Sequence, residues 1–121
     1  MRVLVCGGRD YEDHNVIYGV LDGIKAAHGW ITIIEGGALG ADAIARTWAN
    51  ENYCGVVTVK ANWHLHGTAA GPIRNTEMLA KGRPDLVLAF PGGNGLEKGT
   101  GDMVRKARAA NVRTKVYGYE D

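Results

Sequence analysis

The chain has 121 residues, with 14 Lys and Arg against 13 Asp and Glu and 45% apolar residues. That length suits one domain, so residues 1–121 are read as a single unit. The near-zero balance of +1 argues against a general nucleic-acid or membrane-surface binder, because phosphate-backbone binding needs clustered excess Lys and Arg.

No apolar run nears the ~20 residues needed to cross a bilayer. Met1-Arg2 leads directly into an apolar run, which leaves no room for a signal peptide. Cys6 and Cys54 lie far apart, without metal-ligand spacing, and a reduced, cytoplasmic setting is expected. Eighteen glycines are many for this length, and their clustering at the ends of elements marks the loops as the functional part.

In chain order, Arg2 to Cys6 reads as the first strand. After the Gly7-Gly8-Arg9-Asp10-Tyr11 turn, Asp13 is a fair N-cap for a helix carrying Val16, Ile17, Val20, Leu21 and Ile24 on one face. Gly29 ends that helix, and Trp30 to Glu35 is the second strand. A second helix runs from Ala41 to about Asn52 with Ile44, Ala45, Trp48 and Ala49 as its buried stripe, and Val56 to Lys60 is a short third strand. Residues 62–71 lack a period and read as a loop. Pro72 suits the first position of a helix capped by Gly71 and ending near Lys81. Asp85 to Phe90 is the most apolar segment and so a central strand. Thr100 caps a helix to about Ala110, and Thr114 to Tyr117 closes the series. The alternation predicts an α/β fold, a Rossmann-like three-layer sandwich of about five parallel strands with helices on both faces.

Three apolar runs end in glycine pairs: Gly7-Gly8, Gly36-Gly37 and Gly92-Gly93. On the carboxyl edge of a parallel sheet, such turns expose backbone amides and helix N-termini that attract anions, above all phosphate. The first turn is not G-x-G-x-x-G, and no acidic residue ends strand two in the ribose-binding sense unless Glu35 serves, which speaks against a plain NAD-binding domain. Arg9 can fork onto a phosphate or carboxylate, or simply pair with Asp10. In Gly36-Gly37-Ala38-Leu39-Gly40-Ala41-Asp42, small residues allow close approach of a ligand. Asp42 there caps the helix, receives a ribose hydroxyl, or pairs with Arg46.

Arg74 stands in the first turn of a helix, where cations are disfavoured by roughly 0.3–1 kcal/mol. An anionic partner is therefore expected, either a ligand or a neighbouring carboxylate. Asn75 is a candidate reader of base or ribose, with a plain surface amide as the alternative. Thr100 can cap its helix and donate to phosphate, and residues 95–99 could act as a lid. His64-x-His66 lacks the companions of a metal site. Trp63 and Tyr11 can each stack on a base or merely cover the sheet edge. Cys6 reads as a buried core thiol.

At Cys6-Gly7-Gly8-Arg9-Asp10-Tyr11, Gly36-Gly37-Ala38-x-Gly40-Ala41-Asp42, Ala70-Gly71-Pro72-Ile73-Arg74-Asn75, Phe90-Pro91-Gly92-Gly93 and Gly99-Thr100-x-Asp102-Met103-Val104, the chain resembles the YspA-type, cpYpsA-related members of the SLOG superfamily. These are small proteins of bacteria and their phages, distantly related to DNA-processing protein A. The resemblance implies a Rossmann-like domain that binds a nucleotide or nucleotide-derived molecule as sensor or sequestering module. Ligand contacts would fall at Gly7, Gly8, Arg9, Tyr11, Gly36, Gly37, Ala38, Gly40, Asp42, Arg74, Asn75, Gly92, Gly93 and Thr100. It also implies a homo-oligomer, which exposed aromatics such as Trp30 or Trp63 would permit. No metal site and no required cofactor beyond a bound nucleotide is expected, and the sequence is silent on Mg²⁺.

A more distant resemblance, to the cytokinin-activating phosphoribohydrolases, supplies an enzymatic alternative: an N-glycoside hydrolase of nucleoside 5′-monophosphates. Arg74-Asn75-Thr76-Glu77-Met78 is similar to that family's R-K-x-x-M helix start, with Asn75 in place of lysine. Its P-G-G-x-G-T-x-x-E motif is interrupted here, and Met103 stands where that family has its catalytic glutamate. Asp102 or Glu97 would then have to serve as acid/base, with Arg74 orienting the phosphate.

Overall fold

The structure is a computed structural model, describing residues 1–93, 95–96 and 98–118. Strands β1 (Arg2–Gly7), β2 (Thr32–Glu35), β3 (Gly55–Thr58), β4 (Leu86–Phe90) and β5 (Arg113–Val116) form one sheet in the order β3-β2-β1-β4-β5. All its pairings are parallel. Parallel neighbours need crossover connections, supplied here by α1 (His14–His28), α2 (Ala41–Glu51), α4 (Ala70–Gly82) and α5 (Lys98–Ala109); a four-residue helix, α3 (Trp63–His66), precedes α4.

Side-chain alternation along the strands builds two cores. Val3 and Val5 of β1, Ile33 of β2, and Leu88 and Phe90 of β4 join Ile17 and Leu21 of α1 and Ile44, Ala45, Trp48 and Ala49 of α2. Leu4 and Cys6, Ile34, and Val87 and Ala89 face the other way and meet Met78 of α4 and Met103, Val104 and Ala107 of α5. Both faces of the inner strands are thus covered, which is why β1 and β4 read as continuous apolar runs. This is the expected Rossmann-like α/β sandwich, with Cys6 buried as expected.

The deviations have local causes. Asp13 caps α1, accepting from the Val16 amide at 3.2 Å, but Val16 lies at the margin of the apolar arc and faces outward. Strand β2 begins at Thr32, not Trp30, because the Trp30 indole turns out to donate to the Tyr53 carbonyl at 3.2 Å. The stretch expected as a loop over 62–71 contains α3, capped by the Asn62 side chain accepting from the Leu65 amide at 3.0 Å, and then a 3₁₀ turn over Gly67–Ala69. Helix α4 therefore starts at Ala70, with Gly71 inside it. Pro72 becomes its third residue, still in the first turn where a missing N–H costs nothing. Helix α5 starts at Lys98, which puts Thr100 in its first turn instead of at its cap.

Candidate functional site

At the carboxyl ends of β1 and β4 the two glycine pairs pack on each other. The Gly8 amide donates to the Phe90 carbonyl at 3.1 Å, and the Gly8 carbonyl accepts from the amides of Tyr11 and Ala41, each at 3.2 Å. A Cβ on Gly8 would lie 2.6 Å from the Gly92 nitrogen, and one on Gly40 would run into the Gly8 carbonyl oxygen. Asp10 closes the assembly by accepting from the Gly93 amide at 3.0 Å. The alternative pairing of Asp10 with Arg9 is absent among the described residues. Gly7, Gly8, Gly40, Gly92 and Gly93, expected as ligand contacts, here allow backbone to meet backbone or side chain. Tyr11 packs on Phe90, ring centroids 5.7 Å apart, and Phe90 stacks on Tyr117 at 5.0 Å. Partial burial and the nearby Asp13 raise the Tyr11 hydroxyl above its usual pKa.

The turn after β2 is held from within by two buried carboxylates. Glu35, with no exposed surface, accepts from the Gly37 amide at 2.7 Å, from Arg46 at 2.9 Å and from the Thr58 hydroxyl. It is therefore engaged internally, not offered to a ribose. One oxygen of Asp42 accepts from the amides of Gly36 at 3.0 Å and Ala38 at 3.3 Å. Arg46, a suggested partner of Asp42, is the ion-pair partner of Glu35. Burial pushes the Asp42 carboxyl up to about 6; the charge of Glu35 adds to this, while Arg74 and the two amide bonds oppose it. The amides of Gly36, Gly37 and Ala38, expected to cradle a phosphate, already have acceptors.

Beside this turn opens a pocket of about 200 Å³ lined by Arg9, Gly36, Gly37, Ala38, Lys60, Ala61, Trp63 and Arg74. The Arg74 guanidinium crosses over Gly36, donating to the Gly36 carbonyl at 2.9 Å and to the Asn75 side-chain oxygen at 3.1 Å. Both of its hydrogen-bond acceptors are neutral, and its neighbouring carboxylate, Asp42, interacts with it through charge alone. Arg9 and Lys60 have no hydrogen-bond or ion-pair partner among the described residues. Three cations thus line one pocket whose walls carry no carboxylate.

Other expected site residues lie elsewhere. Asn75 is buried, and its amide donates to the Gly99 carbonyl at 3.1 Å and to Asp102 at 3.0 Å. It joins α4 to α5, its amide N–H groups spent on these two acceptors and its oxygen accepting from Arg74, so it is not the plain surface amide of the alternative reading. Asp102 is also paired with Lys106 at 2.9 Å, and Lys106 donates to the Pro72 carbonyl at 2.8 Å. Thr100 and Met103 are buried. Glu97 lies outside the described residues, as does part of the suggested lid. Among the described residues, no group of three or more His, Cys, Asp or Glu is placed to hold a metal ion, and no helix is long and apolar enough to cross a membrane.

Lys60 and Ala61 were missed because the expected third strand ran through Lys60. Strand β3 stops at Thr58, and Lys60 belongs to the carboxyl-edge turn. Residues following a strand on that edge are candidates by position alone, and this was the available signal.

Comparison with known proteins agrees with this architecture. The profile of the YspA, cpYpsA-related SLOG family matches residues 1–66. The Gene 61 protein of Mycobacterium phage D29 is 34% identical over 123 residues, covering 97% of this chain and 96% of the phage protein. The matched span carries Arg9, the Gly36–Ala38 turn, Lys60 and Trp63, and Arg74 follows it. With its profile matching more than half of the sequence, the chain belongs to the YspA, cpYpsA-related SLOG family.

Proposed function

We propose that the protein binds a nucleotide-derived small molecule through its phosphate, as a sensor or sequestering module, in the pocket between Arg9 and Arg74. Family membership supports nucleotide-related binding or processing. The observation that carries the finer reading is the set of three cations, Arg9, Lys60 and Arg74, around a pocket without a carboxylate in its lining. Like charges gathered on a lining that holds no carboxylate repel one another, and an anion relieves that repulsion. Arginine adds the fork geometry that suits phosphate oxygens.

The test is titration calorimetry with nucleoside mono- and diphosphates on the wild type and on Arg74→Ala. The expected outcome is saturable binding that Arg74→Ala weakens by roughly ten- to a hundredfold, the worth of a charge-assisted hydrogen bond. Unchanged affinity in Arg74→Ala would remove the proposal.

Binding is favoured over turnover because Asp102 is held by Asn75 and Lys106 and Met103 cannot act as an acid or base. Release of free base from any nucleoside monophosphate would reverse that preference.

A further inference from the structure

We infer that the pocket selects a nucleoside diphosphate over the matched monophosphate, with Lys60 engaging the additional phosphate and Trp63 supporting the base. This rests on the phosphate reading of the same pocket. Charge is the first ground. A phosphomonoester brings about two negative charges at neutral pH, and a diphosphate brings about one more, which matches the three cations Arg9, Lys60 and Arg74.

The position of Lys60 is the second ground. A Cβ on Gly37 would lie 3.0 Å from the Lys60 Cγ and 3.4 Å from its Cε. The lysine stem therefore runs along the same turn that Arg74 crosses at Gly36, so both cations serve one wall of the pocket. Size is the third. At about 200 Å³ the pocket falls below the ~300–1,000 Å³ of sites that enclose a whole ligand. It suits phosphates and part of a sugar, leaving the base outside. Trp63 lines the same pocket and remains 51% exposed. Its ring is held over the start of α4, 3.5 Å from where a Gly71 Cβ would stand. An open indole at the rim of a phosphate pocket offers a stacking surface that any base can use.

The experiment compares AMP with ADP, GMP with GDP, and inorganic pyrophosphate, by calorimetry on the wild type, Lys60→Ala and Trp63→Ala, each first shown to be folded by circular dichroism. The diphosphate is expected to bind at least about tenfold more tightly than its monophosphate. Lys60→Ala is expected to collapse that ratio towards one, and Trp63→Ala to weaken nucleotides more than pyrophosphate. Equal affinity for mono- and diphosphates, or a ratio that survives Lys60→Ala, would overturn the inference while leaving the phosphate site standing. Equal losses for nucleotide and pyrophosphate in Trp63→Ala would remove the stacking arm. No binding of any probe to the folded wild type would overturn both the inference and the reading beneath it.

Discussion

The turns after β1 and β4 and the turn after β2 look alike as sequence, each a glycine pair closing an apolar run, yet they do different work. Gly8 and Gly92 meet backbone to backbone, locked by Asp10 on the Gly93 amide. Gly36 and Gly37 instead lie under the side chains of Arg74 and Lys60 and border a pocket. In doubly wound sheets the ligand crevice is expected where strand order reverses, here between β1 and β4. That crevice is filled by the protein's own turns, and the open pocket is displaced towards the ends of β2 and β3. A glycine-rich turn reports close approach; only its surroundings tell whether the approaching group is a ligand or another part of the chain.

The contrast can be broken at its packed side first. Gly40→Ala places a Cβ against the Gly8 carbonyl at a residue with φ of 73°. Strain and overpacking together are expected to cost about 3 kcal/mol or more, read by urea denaturation.

Next in size is Asp42. Its folded pKa of about 6 lies above the ordinary 3.8, so its contribution to stability is complete below about pH 4 and is lost as pH rises through 6. Relative to Asp42→Asn, the wild type is expected to lose up to about 3 kcal/mol between pH 4 and pH 7. A constant difference across that range would contradict the burial of a charged Asp42.

Arg74→Ala comes third, with roughly 1.5–3 kcal/mol of phosphate affinity at stake. Smallest is Asp10→Ala, which removes one exposed clasp. It is expected to lower stability by about 1 kcal/mol or less and to leave nucleotide affinity within about twofold, sharpening the division between packed turns and open pocket.

Much of the fold was legible because its signals are local. The period of α1, the Asp13 cap and the apolar runs of β1 and β4 each follow from neighbouring residues, as does the parallel alternation. Arg74 was legible as a cation misplaced at a helix start, and it does line the pocket without a carboxylate partner at hydrogen-bonding distance. What escaped was non-local. Asn75 reaches Gly99 and Asp102 across 24 and 27 residues of sequence, and no periodicity announces such a partner. The internal acceptors of the Gly36–Ala38 amides were equally hidden, because an acidic residue beside a glycine turn serves a ligand or the turn itself with the same sequence. Lys60 was lost to a two-residue error in the end of β3, enough to turn a pocket-lining cation into a strand residue.

The carboxylates beneath the β2 turn have a further consequence for how a ligand would arrive. In a phosphate cradle made of bare amides, the loop orders around its guest, and hydrogen exchange slows there on binding. Here Gly36, Gly37 and Ala38 already donate to Asp42 and Glu35, so slow exchange is expected in the free protein, with little added by a ligand. The entropy of ordering this loop is lost during folding, before any encounter. Anion capture of the proposed kind would then depend on side chains, and its rate is expected to follow long-range attraction to a cationic opening and to fall as salt is added.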